Sequence, residues 1–194
     1  MKFCLSHALN RRIYSFVRSF LLVGFIAYPL SVFAAPVDTS NRNALEYFFH
    51  QSFNNLREEL DIAREENKIG IFVMFNDPDC PWCAKMKATV LNRISVQNYY
   101  RKHFRLIHID TRGDTLMTDF QGNEITEKDY SLLVNRVRAT PVFMFFDLDG
   151  KKLIRYTGAT RNLNEFMWLA EFVTSGAYKN TKFSKYKRKK RAAK

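Results

Sequence analysis

Cysteine is scarce in this chain: among 194 residues only Cys4, Cys80 and Cys83 occur. Two of them share a single C-x-x-C, and neither a second C-x-x-C nor a His-x-x-x-His spacing is present. A disulfide scaffold needs several bridges and a structural zinc site needs four ligands, so neither reading suits these residues. Long apolar runs are also lacking. "FLLVGFIAYPL" falls short of the roughly 20 residues of a membrane-spanning helix and is interrupted by Pro29. Acidic residues are missing from both ends, residues 1–34 and 179–194. No internal repeat is visible.

What is present makes a globular chain, 46% apolar and 15% aromatic, long enough for one domain with its own core. Residues 1–34 combine Lys2, Arg11, Arg12 and Arg18 with a short apolar stretch and small residues at Ala34 and Ala35. That pattern describes a secretory signal cut after Ala34, and hence a periplasmic protein. The formal charge of +12 divides unevenly: four cations lie in the signal and nine in residues 179–194, leaving 18 Lys and Arg against 19 Asp and Glu between. The folded part, residues 35–178, is therefore close to neutral, and nucleic-acid binding is not expected. A tail such as "KNTKFSKYKRKKRAAK" is by default a basic, disordered arm, and its charge also suits an anionic membrane surface.

Along the mature chain, residues 43–66 carry apolar residues at helical spacing, from Leu45 through Phe53 to Ile62, and predict one amphipathic helix. "IGIFVMF" (69–75) is a buried strand ending in the turn-forming "NDPD". Helical spacing resumes after Cys83, with a kink near Asn92, and "FRLIHID" (104–110) is a second strand. Residues 111–125 read as an insertion, followed by a helix capped at Thr126. "VFMFFD" and "KLIRYTG" form a hairpin across Asp149-Gly150, and a last helix opens at Asn162. This order argues for an α/β domain with a mixed central sheet and helices on both faces.

A strand ending at Phe75 and a helix starting at Pro81 put Cys80 at the N-cap. Its sulfur can accept hydrogen bonds from the free N–H groups of Trp82 and Cys83, and the helix dipole favours a thiolate there. Cys80 is thus the expected nucleophile, and Cys83, one turn on, the resolving thiol. A Cu(I) chaperone using Cys80, Cys83 and Met86 is an alternative, because soft sulfur ligands suit that ion. A redox-inert holdase is another.

The residues "FVMFNDPDCPWCAKM", the block "ATPVFMFFDLDGKKLIRYTG" and the closing "FVTSGAY" together resemble the thioredoxin superfamily, and within it exported thioredoxin-like proteins of the SoxW type. The resemblance spans roughly residues 43–178. It implies a thioredoxin-like fold, a cis Pro141 packed against the redox pair, and Thr140 offering its backbone to an extended substrate. Trp82 would share that docking surface, and Gly158 matches the family's glycine near it. It further implies exported thiol or disulfide proteins as substrates, recharging by a membrane electron donor of the DsbD or CcdA kind, and no cofactor beyond the Cys80–Cys83 pair. Two departures stand out: Met74 replaces the family's buried aspartate, and Asp79 replaces the tryptophan before the first cysteine. Pro81 and Trp82 place no histidine between the cysteines, and Asp77 and Asp79 oppose an anionic sulfur. Both point toward a reductase rather than an oxidase or isomerase.

Overall fold

The computed structural model describes residues 41–193; the signal expected over residues 1–34 lies outside them. In chain order the elements are α1 (Ala44–Tyr47), α2 (Leu56–Glu65), β1 (Gly70–Asn76), α3 (Pro81–Met86, continued by a π-helical stretch Lys87–Leu91), α4 (Ile94–His103) and β2 (Phe104–Asp110). They are followed by β3 (Leu116–Thr118), β4 (Glu124–Thr126), α5 (Glu127–Asp129, continued by a π-helical turn Tyr130–Val134), β5 (Val142–Phe146), β6 (Lys152–Thr157), α6 (Leu163–Thr174) and α7 (Phe183–Ala192). Among the described residues no helix is long and apolar enough to cross a membrane.

The main sheet has the order β2-β1-β5-β6, with β1 parallel to β2 and the pairs β1/β5 and β5/β6 antiparallel. Side chains alternate across a strand, and here both faces are covered, which explains the unbroken apolar runs. Phe72, Met74, Phe143 and Phe145 point into one core with α1, α3, α4 and α6. Ile71, Val73, Phe75, Val142 and Met144 point into the other, closed by α2 and by Met117, Phe120 and Tyr130. The first core is aromatic: Tyr100 stacks on Phe166 at 4.5 Å between centroids and donates its hydroxyl to the Phe166 carbonyl at 2.7 Å. Each such pair adds about 0.5–1.5 kcal/mol beyond the area it buries.

Two expectations need correction. The helix expected over 43–66 is broken between Phe48 and Asn55. His50 exchanges hydrogen bonds with Leu106 on the free edge of β2, its N–H donating to the carbonyl and its Nδ1 accepting from the amide. Pairing this edge outweighs continuing the helix, and Phe53 is left exposed as the chain crosses over. Residues 111–125, expected as an insertion, hold the β3/β4 hairpin, which is carried on the second core by Met117 and Phe120.

The basic tail is not a disordered arm. After a positive-φ turn at Gly176 (φ 71°), it forms α7 and packs against α6. Phe183 meets Tyr156 and Phe172, and Tyr186 meets Phe172. Lys187 and Arg191 bind Glu165, and Lys190 binds Glu171. A charge count alone misses the aromatic pair at i and i+3 that gives this segment an inner face.

Candidate active site

β1 delivers the chain to the site. Past Asn76 the backbone turns through Asp77, whose carboxylate accepts from the Asp79 amide at 2.8 Å while its carbonyl accepts from the Cys80 amide at 3.1 Å. This Asx-type turn stops the strand and aims Cys80 at the start of α3. Pro81 fills the first helical position, where its missing N–H costs nothing. Cys80 is the N-cap in extended conformation (φ −80°, ψ 109°). Its Sγ accepts one N–H, from Cys83 at 3.1 Å.

The two cysteines form a disulfide, with Cα atoms 5.2 Å apart. They are not equivalent. Cys80 retains 8% of its surface, whereas Cys83 has none. An incoming thiolate or disulfide therefore reaches Cys80 first. In the reduced pair, a thiolate on Cys80 would keep the Cys83 amide and the helix start as its stabilising dipoles.

The acids of "NDPD" have a partner that the sequence reading missed. Arg112, just beyond β2, approaches both Asp77 (3.0 Å) and Asp79 (2.5 Å). A cation 33 residues from its acid leaves no local signature. It offsets the negative field expected at Cys80, and so weakens the inference that these aspartates disfavour a thiolate. Because Arg112 and Asp79 are both exposed, the pair is screened by solvent.

The register Phe75↔Val142 brings Thr140 and Pro141 to the same end of the sheet as this loop. The Thr140–Pro141 peptide is cis, and the Pro141 carbonyl accepts from the Gly158 amide at 2.8 Å. Gly158 has φ 94°, a conformation that side chains rarely adopt. Thr140 lines a groove of about 780 Å³ with Asp77, Arg112, Lys128 and Leu132. Trp82 is 56% exposed, with the Lys85 ammonium over its ring at 5.0 Å. It borders a smaller groove of about 290 Å³ shared with Met86 and Thr160.

Met86 is buried in the same core as both cysteines, and its sulfur accepts from the Thr160 hydroxyl at 3.6 Å. Packing accounts for it without a metal. Met74 is wholly buried, so the position of the family's aspartate holds no proton acceptor. Its register partner on β2 is His108. Burial, aided by Lys87, lowers that imidazole to about 4, so it is neutral at pH 7.

Comparison with curated proteins returns no match. Among solved structures, a thioredoxin-fold protein from Helicobacter pylori is similar at 18% identity with a TM-score of 0.60, over 77% of this chain and 96% of that one. The C-terminal domain of DsbD from Neisseria meningitidis, in its oxidised form, matches at 18% identity and TM-score 0.45, over 59% of this chain and 89% of its own. A thioredoxin from Thermus thermophilus matches at 22% identity and TM-score 0.48, over 60% and 82% respectively. The sheet order, the two helical layers and the cysteine pair at a helix start agree with a family match over residues 56–174, and the chain belongs to the thioredoxin-like domain family.

Proposed function

We propose that the chain is an exported thiol:disulfide oxidoreductase that reduces disulfides in other exported proteins. The observation that carries this reading is the asymmetry of the pair, with Cys80 at the helix start and Cys83 buried behind it. In the reduced enzyme the Cys80 thiolate attacks one sulfur of a substrate disulfide, forming a mixed disulfide and releasing a substrate thiolate. Cys83 then gives its proton to the released substrate thiolate and attacks the Cys80 sulfur. The Cys80–Cys83 disulfide forms, and the second substrate thiolate leaves and is protonated. Two electrons have passed to the substrate. A membrane-bound dithiol donor of the DsbD or CcdA kind would return them, as the resemblance to SoxW-type proteins implies. Thr140, Pro141 and Trp82 flank Cys80 as the docking surface. No organic cofactor and no metal enters the cycle.

One observation favours a second direction. Arg112 beside Asp77 and Asp79 supplies positive charge near Cys80, which stabilises a thiolate and moves the pair toward an oxidase or isomerase. The reduction potential separates the two: near about −270 mV the reductase reading stands, and near about −120 mV it fails in favour of the oxidase. Under either direction Cys80→Ser abolishes turnover, and Cys83→Ser traps a mixed disulfide visible on non-reducing gels. Trapping through Cys83 in Cys80→Ser instead would reverse the assigned roles. Suppression of client aggregation that survives Cys80→Ser, with no thiol:disulfide turnover in the unaltered protein, would favour a holdase, and anaerobic Cu(I) titration tests the copper alternative.

A further inference from the structure

Helix α7 divides its cations by partner. On its inner side Phe183 and Tyr186 pack on Tyr156 and Phe172, and the three cations of that side are matched: Lys187 and Arg191 to Glu165, Lys190 to Glu171. Lys182 at the N-cap, with Lys185, Arg188 and Lys189, is exposed. Among the described residues these four make no ion pair. Spacings of three, four and seven residues place them along one side of the helix. No acidic residue follows Glu171 in the sequence to offset them. Docking on α6 thus consumes only the inner charges and holds the outer ones in a fixed row.

From this arrangement we propose that the outer face of α7 is a docking surface for anionic lipid headgroups, which holds the catalytic domain at the membrane. Four cations in a row complement a plane of phosphates, and each contributes about fivefold to partitioning near such a surface. None of the exposed large apolar side chains lies on α7, so the helix rests on the headgroups rather than inserting. Such binding is salt-labile, because exposed charges are screened over about 8–10 Å at physiological ionic strength. A lipid surface is chosen over nucleic acid because the inference rests on the reading above, in which the chain is exported and draws electrons from a membrane donor.

The test uses residues 36–194, a compact unit that carries both core clusters of the described residues, so that the leader does not itself bind lipid. Sedimentation with phosphatidylglycerol-rich vesicles should capture the protein at low salt, with release at about 0.5 M NaCl. Vesicles of phosphatidylcholine alone should not capture it. The variant Lys182→Gln, Lys185→Gln, Arg188→Gln, Lys189→Gln should bind about 10²–10³-fold more weakly. Unchanged helical circular dichroism and melting temperature in that variant would show that α7 remains docked. Unaltered vesicle binding by the variant, or tighter binding to a short DNA duplex than to the vesicles, overturns the lipid assignment. Cys80→Ser, which loses turnover, should bind vesicles like the unaltered protein. A redox-inert protein that still binds vesicles overturns the proposed reaction, while an active reductase that ignores them overturns only this inference.

Discussion

Replacing Glu165 with glutamine tests whether α7 is fastened to the domain. The Glu165 carboxylate is 3% exposed and accepts from Lys187, from the Tyr156 hydroxyl at 3.0 Å, and from Arg191 at 3.4 Å. Burial alone would raise its pKa; the bonds from Lys187 and Tyr156, with the charges of Lys187 and Arg191, outweigh that and hold it below the ordinary glutamate value. Glutamine keeps the shape and the Tyr156 bond but removes the charge. Hydrogen bonds to a charged group contribute about 1.5–3 kcal/mol against roughly 1 for neutral ones. The net cost is therefore about 1–2 kcal/mol, limited by the partial access of Lys187 and Arg191 to water. In a domain of this size that lowers the melting temperature by about 2–8 °C.

Two assays follow from the sign and the place of this loss. A carboxylate with a depressed folded pKa contributes stability above its unfolded pKa and loses it as the pH falls through the folded value. Glu165→Gln and the unaltered protein should therefore differ at pH 7 and converge in acid, below the ordinary glutamate range. Because α7 is rich in trypsin sites, the variant should also be cut in residues 182–191 faster than the unaltered protein, before the core opens. A tail cleaved at once in both proteins, with equal melting temperatures, would refute the docked helix.

Arg112→Gln removes the cation shared by Asp77 and Asp79, and should raise the pKa of the Cys80 thiol in the reduced protein by less than about one pH unit, since the pair is exposed. Thiolate absorbance at 240 nm reads it, and an unchanged or lowered pKa would show that these acids do not act on the sulfur. His50 and His108 carry the main acid sensitivity among the histidines of the described residues. Burial, with Arg101, Arg105 and Lys68, lowers His50 to about 3, and burial with Lys87 lowers His108 to about 4. The unfolded chain binds these protons first, so stability should fall as pH drops from about 6.5 toward 4. His50→Gln should flatten that slope in urea titrations at a series of pH values, and an identical slope would exclude His50 as its source.

The strands, the helix start at Pro81 and the redox pair were legible in the sequence because each is written locally. β1 and β5 appear as unbroken apolar runs, and Cys80 reads as an N-cap from the turn before it and the proline after it. The caps at Thr126 and Asn162 were legible for the same reason, each bonding the amide three residues on. Other features depend on which distant segments meet. His50 leaves its helix because the edge of β2 lies beside it. Arg112 reaches Asp77 and Asp79 only once β1 and β2 are paired in register.

Local sequence specifies the composition of the site: a cysteine that keeps a sliver of surface and one wholly buried behind it at the head of a helix, on a sheet covered on both sides. Tertiary structure decided its electrostatics and the fate of the tail. A run of lysine and arginine is a solvated arm until acids and aromatic rings face it. Here Glu165, Glu171, Tyr156 and Phe172 come from elements earlier in the chain, and folding turns the run into a helix with a neutralised side and a charged one.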